Sequence, residues 1–396
     1  MQHKKYNILF ISANLNYFTD NHASFSRMYN NLIYFHKHDN FDVYVLQPKD
    51  YKERENQILK KDIKTYYFRN LKIAGIKLTP FTDLNIFFIL KINRILKRHE
   101  IDLIHVDYVY GINCLRLFRN IPVSYNAYNV EYIFANQIGK YDSKIPKIFR
   151  ILYPRFIYFL EKYTLKFVKN VNAVSYLDKK KFIEIYNTPK EKINLSPFGI
   201  RKDIFENPMK QEKARARLHL DKDKFIVIFH GSYFLNYANV EAINIIKDKI
   251  APLINDKDIM ILIAGKMPPF KNKDNLIFLG FVKDLKDFIY SADIAIAPIL
   301  RGSGVKTKII DYLSGNIPVI TTNKGAEGLY FKDGIHGYIV NDINEIIEKI
   351  IKLKKDPKML NQFKKNINIL ISKNYKWQDI NKKLEKRYRL IIRDIN

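Results

Sequence analysis

Short apolar runs alternate along the whole chain with longer stretches whose apolar residues recur at three-to-four spacing. In the first half the runs are YNILFIS (6–12), FDVYVLQ (41–47), IKTYYF (63–68), DLIHVD (102–107), IPVSYNA (121–127) and NVNAVS (170–175). In the second half they are FIVIFHGS (225–232), IMILIAG (259–265), NLIFLGF (275–281), DIAIAPI (293–299), IPVITT (317–322) and GYIV (337–340). Continuous apolar runs of this length, without strict alternation, suit strands buried on both faces of a parallel sheet. The segments between them, such as VEAINIIKDKIAPLI and FIEIYNTPKEK, carry the spacing of amphipathic helices. Strand and helix in alternation predict a doubly wound α/β architecture.

The pattern occurs twice. It breaks at SPFGIRKDIF (196–205), where Pro197 and Gly199 interrupt the chain, and a lysine-rich, weakly patterned stretch then runs to Lys224. With 396 residues, the chain exceeds the roughly 250–300 at which a single core stops growing. Two Rossmann-like domains are predicted, residues 1–198 and 199–375, with a cleft between them facing the carboxyl ends of both sheets. The last segment, KWQDINKKLEKRYRLIIRDIN (376–396), reads as a basic amphipathic helix returning to the first domain, with Trp377 packing it back.

Composition narrows the class. Apolar residues make up 47% and charged residues 27% of the chain, which excludes a disordered or collagen-like protein. The single cysteine, Cys114 in the apolar segment GINCLRLF, cannot form an internal disulfide and reads as core. No run reaches the ~18 apolar residues of a spanning helix. The basic start and apolar run of MQHKKYNILFISANLNYF lack a small-residue cleavage site, so they read as a first buried strand and the expected location is cytoplasmic. The net charge of +28 suits nucleic acid, an anionic membrane or anionic substrates. A lysine-, isoleucine- and asparagine-rich coding bias produces the same balance, so charge alone does not choose among them.

The segment RGSGVKTKIIDYLSGNIPVITTNKGAEGL (301–329) carries the most chemistry. It follows the strand DIAIAPI, turns through Gly302 and Gly304 and enters a helix containing Lys306, Lys308 and Asp311. A glycine-rich strand-to-helix turn lets an anion approach backbone amides at the positive end of a helix. Arg301 and Lys306 add full charges against a diphosphate. Asp311 lies about 10 Å further along the helix axis, a reach from diphosphate to ribose, and its carboxylate offers two acceptors to a vicinal diol. The competing reading is a tight turn followed by an ordinary surface helix.

This segment resembles the nucleotide-binding region of family 4 glycosyltransferases, which have the GT-B fold. The resemblance extends through HGSYFLNYANVEAINIIKDKIAPLI (230–254), LIAGK (262–266) and LGFVKDLKDFIYSADIAIAP (279–298), and in the first half to AYNVE (127–131) and AVSYLDK (173–179). It implies that Asp311, at the second position of a Glu-x7-Glu motif, binds the ribose hydroxyls. Gly302, Ser303 and Gly304 then cradle the diphosphate, and Arg301 and Lys306 neutralise it as it leaves. Glu327 approaches the donor sugar or its phosphates, Gly231 and Ser232 line the opposite side, and Phe281 and Val282 contact the base. It further implies transfer with retention of anomeric configuration, no metal and no cofactor other than a UDP- or GDP-linked sugar donor. The chain departs from the family pattern at Ser303, which replaces the first Glu, at Asp311, one methylene shorter than Glu, and at Tyr128, where relatives often carry His. No clear Arg-x5-Lys pair follows Gly231.

His22 and His105 lie at carboxyl ends of predicted strands, where ligands bind; each serves the acceptor or is structural. Glu131 lines the cleft or caps a helix. The segment SKIPKIFRILYPRFIYFLEKYTLKFVKNV (143–171) interleaves seven Lys/Arg and seven Phe/Tyr with a single Glu. Interrupted by Pro146 and Pro154, it forms one or two helices whose surface suits an anionic leaflet, or else an ordinary solvated basic face. Basic and aromatic residues together also suit single-stranded nucleic acid, but no nucleic-acid module accompanies them.

The sequence therefore predicts a GT-B glycosyltransferase acting on a glycan or lipid-linked acceptor in polysaccharide or glycoconjugate synthesis, peripheral to the membrane through 143–171, and no nucleic-acid partner. Two alternatives stay open: a non-catalytic relic acting as a membrane scaffold, and a nucleotide-sugar epimerase of the same fold. A dehydrogenase is disfavoured because no Gly-x-Gly-x-x-Gly follows the first strand of either half.

Overall fold

The apolar runs of the first half assemble into a seven-stranded sheet in which every pairing is parallel. Its strands are β1 (Tyr6–Ser12), β2 (Phe41–Pro48), β3 (Lys64–Phe68), then, beyond a small antiparallel hairpin of β4 (Lys72–Ile73) and β5 (Ile76–Lys77), β6 (Leu103–Asp107), β7 (Val123–Asn126), β8 (Asn170–Ala173) and β9 (Ile193–Leu195). The order is β3-β2-β1-β6-β7-β8-β9. The hairpin and the three-residue β9 are additions to the predicted strands.

The second half forms a six-stranded, all-parallel sheet of β10 (Phe225–His230), β11 (Ile259–Ala264), β12 (Leu276–Gly280), β13 (Ile294–Ala297), β14 (Val319–Thr322) and β15 (Gly337–Val340), ordered β12-β11-β10-β13-β14-β15. The chain steps outward from β10 to β12 and then returns to the other side of β10 as β13. The order reverses there, and such a switch point is where open α/β sheets bind ligands beyond the carboxyl ends of the strands.

This computed structural model describes residues 5–13, 15–18, 23–49, 62–73, 76–118, 120–141, 147–234, 237–273 and 275–394. The chain divides into one unit of Met1–Phe198 with Trp377–Asn396 and another of Gly199–Lys376. In the first unit the sheet is sealed by helices such as Ile86–Arg98, which buries Phe88, Ile92 and Ile95 at four- and three-residue spacing. The side chain of Asn85 starts that helix by accepting from the amides of Phe87 and Phe88. The helix Trp377–Arg393 joins this unit by the same logic. It buries Trp377, Ile380, Leu384, Tyr388 and Ile391 along one stripe, and the Tyr388 ring stacks on Phe35 at 5.4 Å.

One helix in the first unit has two apolar faces. Lys147–Phe167 runs unbroken for 21 residues with Pro154 in its interior; Pro146 lies outside the described residues. Pro154, Ile157, Glu161, Thr164 and Leu165 are buried. On the opposite side Ile148, Leu152, Phe156, Phe159 and Tyr163 form an exposed stripe. The Phe156 ring meets Phe81 at 5.3 Å, and Leu84, Ile86, Phe87 and Leu90 beyond Phe81 are exposed as well. The cations on this helix's exposed side are Lys147, Arg155 and Lys166, and its one carboxylate, Glu161, is buried. Among the described residues, no helix is long and apolar enough to cross a membrane.

Candidate functional site at the switch point of the second sheet

Two glycine turns stand side by side where β10 and β13 end. After β10, the Gly231 amide donates to Ala264 O at 2.9 Å, and the Gly265 amide to Gly280 O at 2.7 Å. The backbones crowd so closely that a Cβ on Gly265, whose φ is +143°, would lie 2.1 Å from Gly231 O. Gly231 presses equally on its own side, where a Cβ would fall 2.8 Å from the side chain of Asn239. After β13, Gly302 (φ +115°) and Gly304 (φ +66°) take left-handed conformations that carry the chain into the helix Thr307–Ser314. A Cβ on Gly302 would approach Lys306 Cε at 3.5 Å and Ala238 Cβ at 3.9 Å. Both turns therefore converge on the start of the helix Tyr237–Ile245, which carries Ala238 and Asn239.

The side chains follow from that geometry. Lys306 turns back over the loop, its Nζ donating to Gly304 O at 2.7 Å. Lys308 reaches across to Asn239, Nζ donating to Oδ1 at 2.6 Å, and lies 4.1 Å above the Phe229 ring. Burial pushes the Lys308 ammonium down to about 7, with Lys306 adding to the shift and Asp311 opposing it. Asp311 is paired with His230, the last residue of β10, at 3.3 Å. The His230 amide donates to Tyr312 OH at 2.9 Å, and burial lowers the imidazole's affinity for a proton against the pull of Asp311. The hydroxyls of Ser232 and Ser303, one on each glycine turn, are buried and make no hydrogen bond among the described residues. Buried hydroxyls without partners at a ligand-type switch point fit a polar ligand.

The predicted residues are thus distributed unevenly. Gly231, Ser232, Gly302, Ser303, Gly304, Lys306 and Asp311 come together around Asn239 and His230. Arg301 is paired with Glu241 of the same helix at 3.3 Å and is half-exposed. Phe281 and Val282 follow β12 on the β11 side, Phe281 exposed with Lys266 5.8 Å from its ring. Glu327 follows the short helix Asn323–Ala326 after β14, its carboxylate 2.6 Å from Lys324. His230, Asn239 and the contacts of Lys308 are additions to the predicted site. Their signal lies in residues 69 and 81 positions apart in sequence, Asn239 with Lys308 and His230 with Asp311.

The first unit holds a buried polar network at the ends of β6 and β7. Asp107 accepts from Tyr17 OH, from Tyr128 OH at 2.9 Å and from Asn126 at 2.5 Å. His105 is fully buried, with Nδ1 2.6 Å from Tyr388 OH and Nε2 3.3 Å from Asp107, contacts that give it a structural place in the network. His22 lies outside the described residues. Arg27 is also fully buried and donates to the carbonyls of Ala127, Asn172 and Ser196, tying three strand ends together. Cys114 is core, its thiol on Gly111 O. Glu131 is the first residue of the helix Glu131–Tyr141 and does not open to solvent. It is buried beside Glu161, which accepts from the amides of Glu131 and Tyr132 and from the hydroxyls of Tyr125 and Tyr186. Burial and the charge of Glu161 push Glu131 up to about 8. Among the described residues no cluster of three His, Cys, Asp or Glu has the arrangement of a metal site.

Comparison with known proteins agrees with the fold. Residues 27–203 match the family described as Glycosyltransferase Family 4, and residues 224–356 match Glycosyl transferases group 1. The chain belongs to the family 4-like glycosyltransferases. It is 26% identical over 207 residues to a processive diacylglycerol β-glucosyltransferase of Bacillus licheniformis, a match covering 48% of this chain and 51% of that protein. The match thus spans about half the length of that relative. Sucrose-phosphate synthase of Thermosynechococcus elongatus shares the fold with a TM-score of 0.74 at 16% identity, over 98% of this chain and 100% of that one. HepE of Anabaena, solved in complex with UDP, does so with a TM-score of 0.69 at 16% identity, over 96% and 99%. The architecture is the α/β GT-B fold.

Proposed function

We propose that the protein transfers a sugar from a nucleoside diphosphate sugar to a glycan or lipid-linked acceptor, with retention and without a metal ion. The observation that carries this is the convergence of two glycine turns, Lys306, Lys308 and Asp311 at the switch point of the second sheet. In the reaction the bond from the anomeric carbon to the diphosphate breaks and the sugar gains oxocarbenium character. The acceptor oxygen then bonds to the same face, and its proton passes to the departing phosphate oxygen. The charge that grows on the diphosphate is met by the amides of the Gly302–Gly304 turn, the amino end of the helix Thr307–Ser314 and the lysines. Asp311, steadied by His230, takes the ribose diol. Arg301 and Glu327 are candidates to approach the phosphates and the sugar. Phe281 and Val282 offer a surface for the base. Binding of UDP by HepE makes UDP the first donor base to test.

The exposed stripe of Lys147–Phe167, continued by Phe81, Leu84, Phe87 and Leu90, supports peripheral contact with an anionic membrane. Apolar side chains rimmed by cations and free of exposed carboxylates dock into the headgroup region; each basic residue near the surface contributes about 1 kcal/mol. A lipid-linked acceptor and a role in cell-surface glycan synthesis fit such a surface.

The test is thermal stabilisation by UDP, GDP, dTDP, CMP and NAD, with Asp311→Ala in parallel. A ligand at 100 times its Kd adds about 2.7 kcal/mol of stability. The expected result is a shift with one nucleoside diphosphate that Asp311→Ala loses. No shift with any of them overturns the reading in favour of a non-catalytic scaffold.

A further inference from the structure

The surroundings of Lys308 are unusual for a lysine. Among the described residues its ammonium has no carboxylate at ion-pair distance, because Asp311 is paired to His230 and Glu241 to Arg301. Its hydrogen-bond partner is the neutral carboxamide of Asn239, and its other close contact is the Phe229 ring. Lys308 is also the second residue of the helix Thr307–Ser314, where the helix dipole disfavours a positive charge, and Lys306 adds a second cation two positions away. The groups facing Lys308 are therefore Phe229 and His230 from β10, Asn239 from its helix, and Lys306 and Asp311 from its own segment. Lys306, Lys308 and the amino end of the helix Thr307–Ser314 thus converge beside Asp311, which is already engaged by His230.

We propose that Lys308 is a proton-acquiring anchor for the donor diphosphate: neutral in the empty site, it takes a proton from solvent as the diphosphate arrives and pairs with it as an ammonium. The inference rests on the nucleotide-site reading above and adds the residue and the proton. The proton balance is simple. The free amine gains one proton from water or buffer, no covalent bond to the ligand forms or breaks, and the ammonium returns its proton to water or buffer when the diphosphate leaves. The value of about 7 for the empty site means that near pH 8 most molecules must acquire that proton to bind. An opposite charge at contact distance then holds it in place. Lys308 thus does the work of the cations missing after Gly231, but only below a pH set by the donor site itself.

The experiment is calorimetric titration of the full chain with UDP and, in parallel, GDP between pH 7.5 and 9, in two buffers of different ionisation enthalpy. That range lies above the last ionisation of a phosphate group, about pH 6, so the ligand's own charge is constant. The expected result is uptake of close to one proton per bound nucleotide and a Kd that rises about tenfold per pH unit. Lys308→Arg, permanently charged, binds with a flat pH profile. Lys308→Met, checked for folding by its melting curve, binds more than tenfold more weakly at pH 7.5 and with a flat profile. A wild-type Kd independent of pH, or a slope that survives in Lys308→Arg, overturns the proposal while leaving the nucleotide site intact. Failure of both nucleotides to bind at any pH overturns the proposal and the site reading together.

Discussion

His230 Nε2 lies 3.3 Å from Asp311 Oδ2, joining the last residue of β10 to the middle of the helix that follows β13. The contact aims the carboxylate from across the switch point, and the Tyr312 hydroxyl accepts from the His230 amide to fix the strand end. Asp311→Ala is expected to weaken nucleotide binding at least tenfold, the scale of a hydrogen bond to a charged group. His230→Phe, which keeps a ring but removes the contact, is expected to weaken it less. Equal losses in both variants, or none in Asp311→Ala, would count against the ribose role.

The buried pair Glu131 and Glu161 makes stability depend on pH in a defined direction. Glu131 is pushed from 4.5 in its ordinary state to about 8 when folded. The folded protein therefore holds more protons than the unfolded chain between those values, and its stability contribution is lost as pH rises from 4.5 through 8. Glu131→Gln mimics the protonated form. It is expected to match the wild type near pH 5 and to melt on the order of 5 °C higher near pH 9, as followed by circular dichroism.

The exposed stripe predicts selective binding to anionic vesicles. The wild-type protein is expected to co-sediment with vesicles containing an anionic phospholipid, not with purely zwitterionic ones, and to be released by salt. Phe156→Glu combined with Phe159→Glu is expected to reduce that binding at least tenfold while leaving nucleotide-induced stabilisation unchanged. Equal binding to both kinds of vesicle would remove the electrostatic part of the argument.

The stereochemical course is accessible once donor and acceptor are in hand. Proton NMR of the first-formed product is expected to show the anomeric configuration of the donor. Prior chelation of divalent ions with EDTA is expected to change the rate less than twofold. An inverted product would require a protein base for the acceptor proton, and a chelator-sensitive rate would assign the departing diphosphate a metal partner.

Much of the fold is visible in the sequence because it is local. The runs at β1, β2, β10 and β11 are long and apolar, and the strands match them to within two residues at either end. β9 escapes because it is three residues long with Asn194 at its centre, which leaves no apolar run to see. The turn from Arg301 to Asp311 is legible for the same reason of locality, since left-handed glycines and a following helix lie within eleven consecutive residues. What the chain does not show is which side chains meet across the sheet. Lys308 looks like any lysine of a surface helix until Asn239 and Phe229 are placed beside it. Glu161 looks like the one counter-charge of a basic helix, whereas the structure buries it under four donors. Pro154 looks like a helix break, and the surrounding packing holds the helix continuous through it.

The helix Trp377–Arg393 belongs with strands made more than 180 residues earlier, and this sets an order of events during synthesis. Domains tend to fold as units, the earlier one first, as the chain leaves the ribosome. Here that order is inverted: every strand of Gly199–Lys376 has been translated before the first unit receives the helix that covers Phe35 and His105. Until then a nascent first unit exposes the groove meant for Tyr388, and the later-born unit is the first that can be complete.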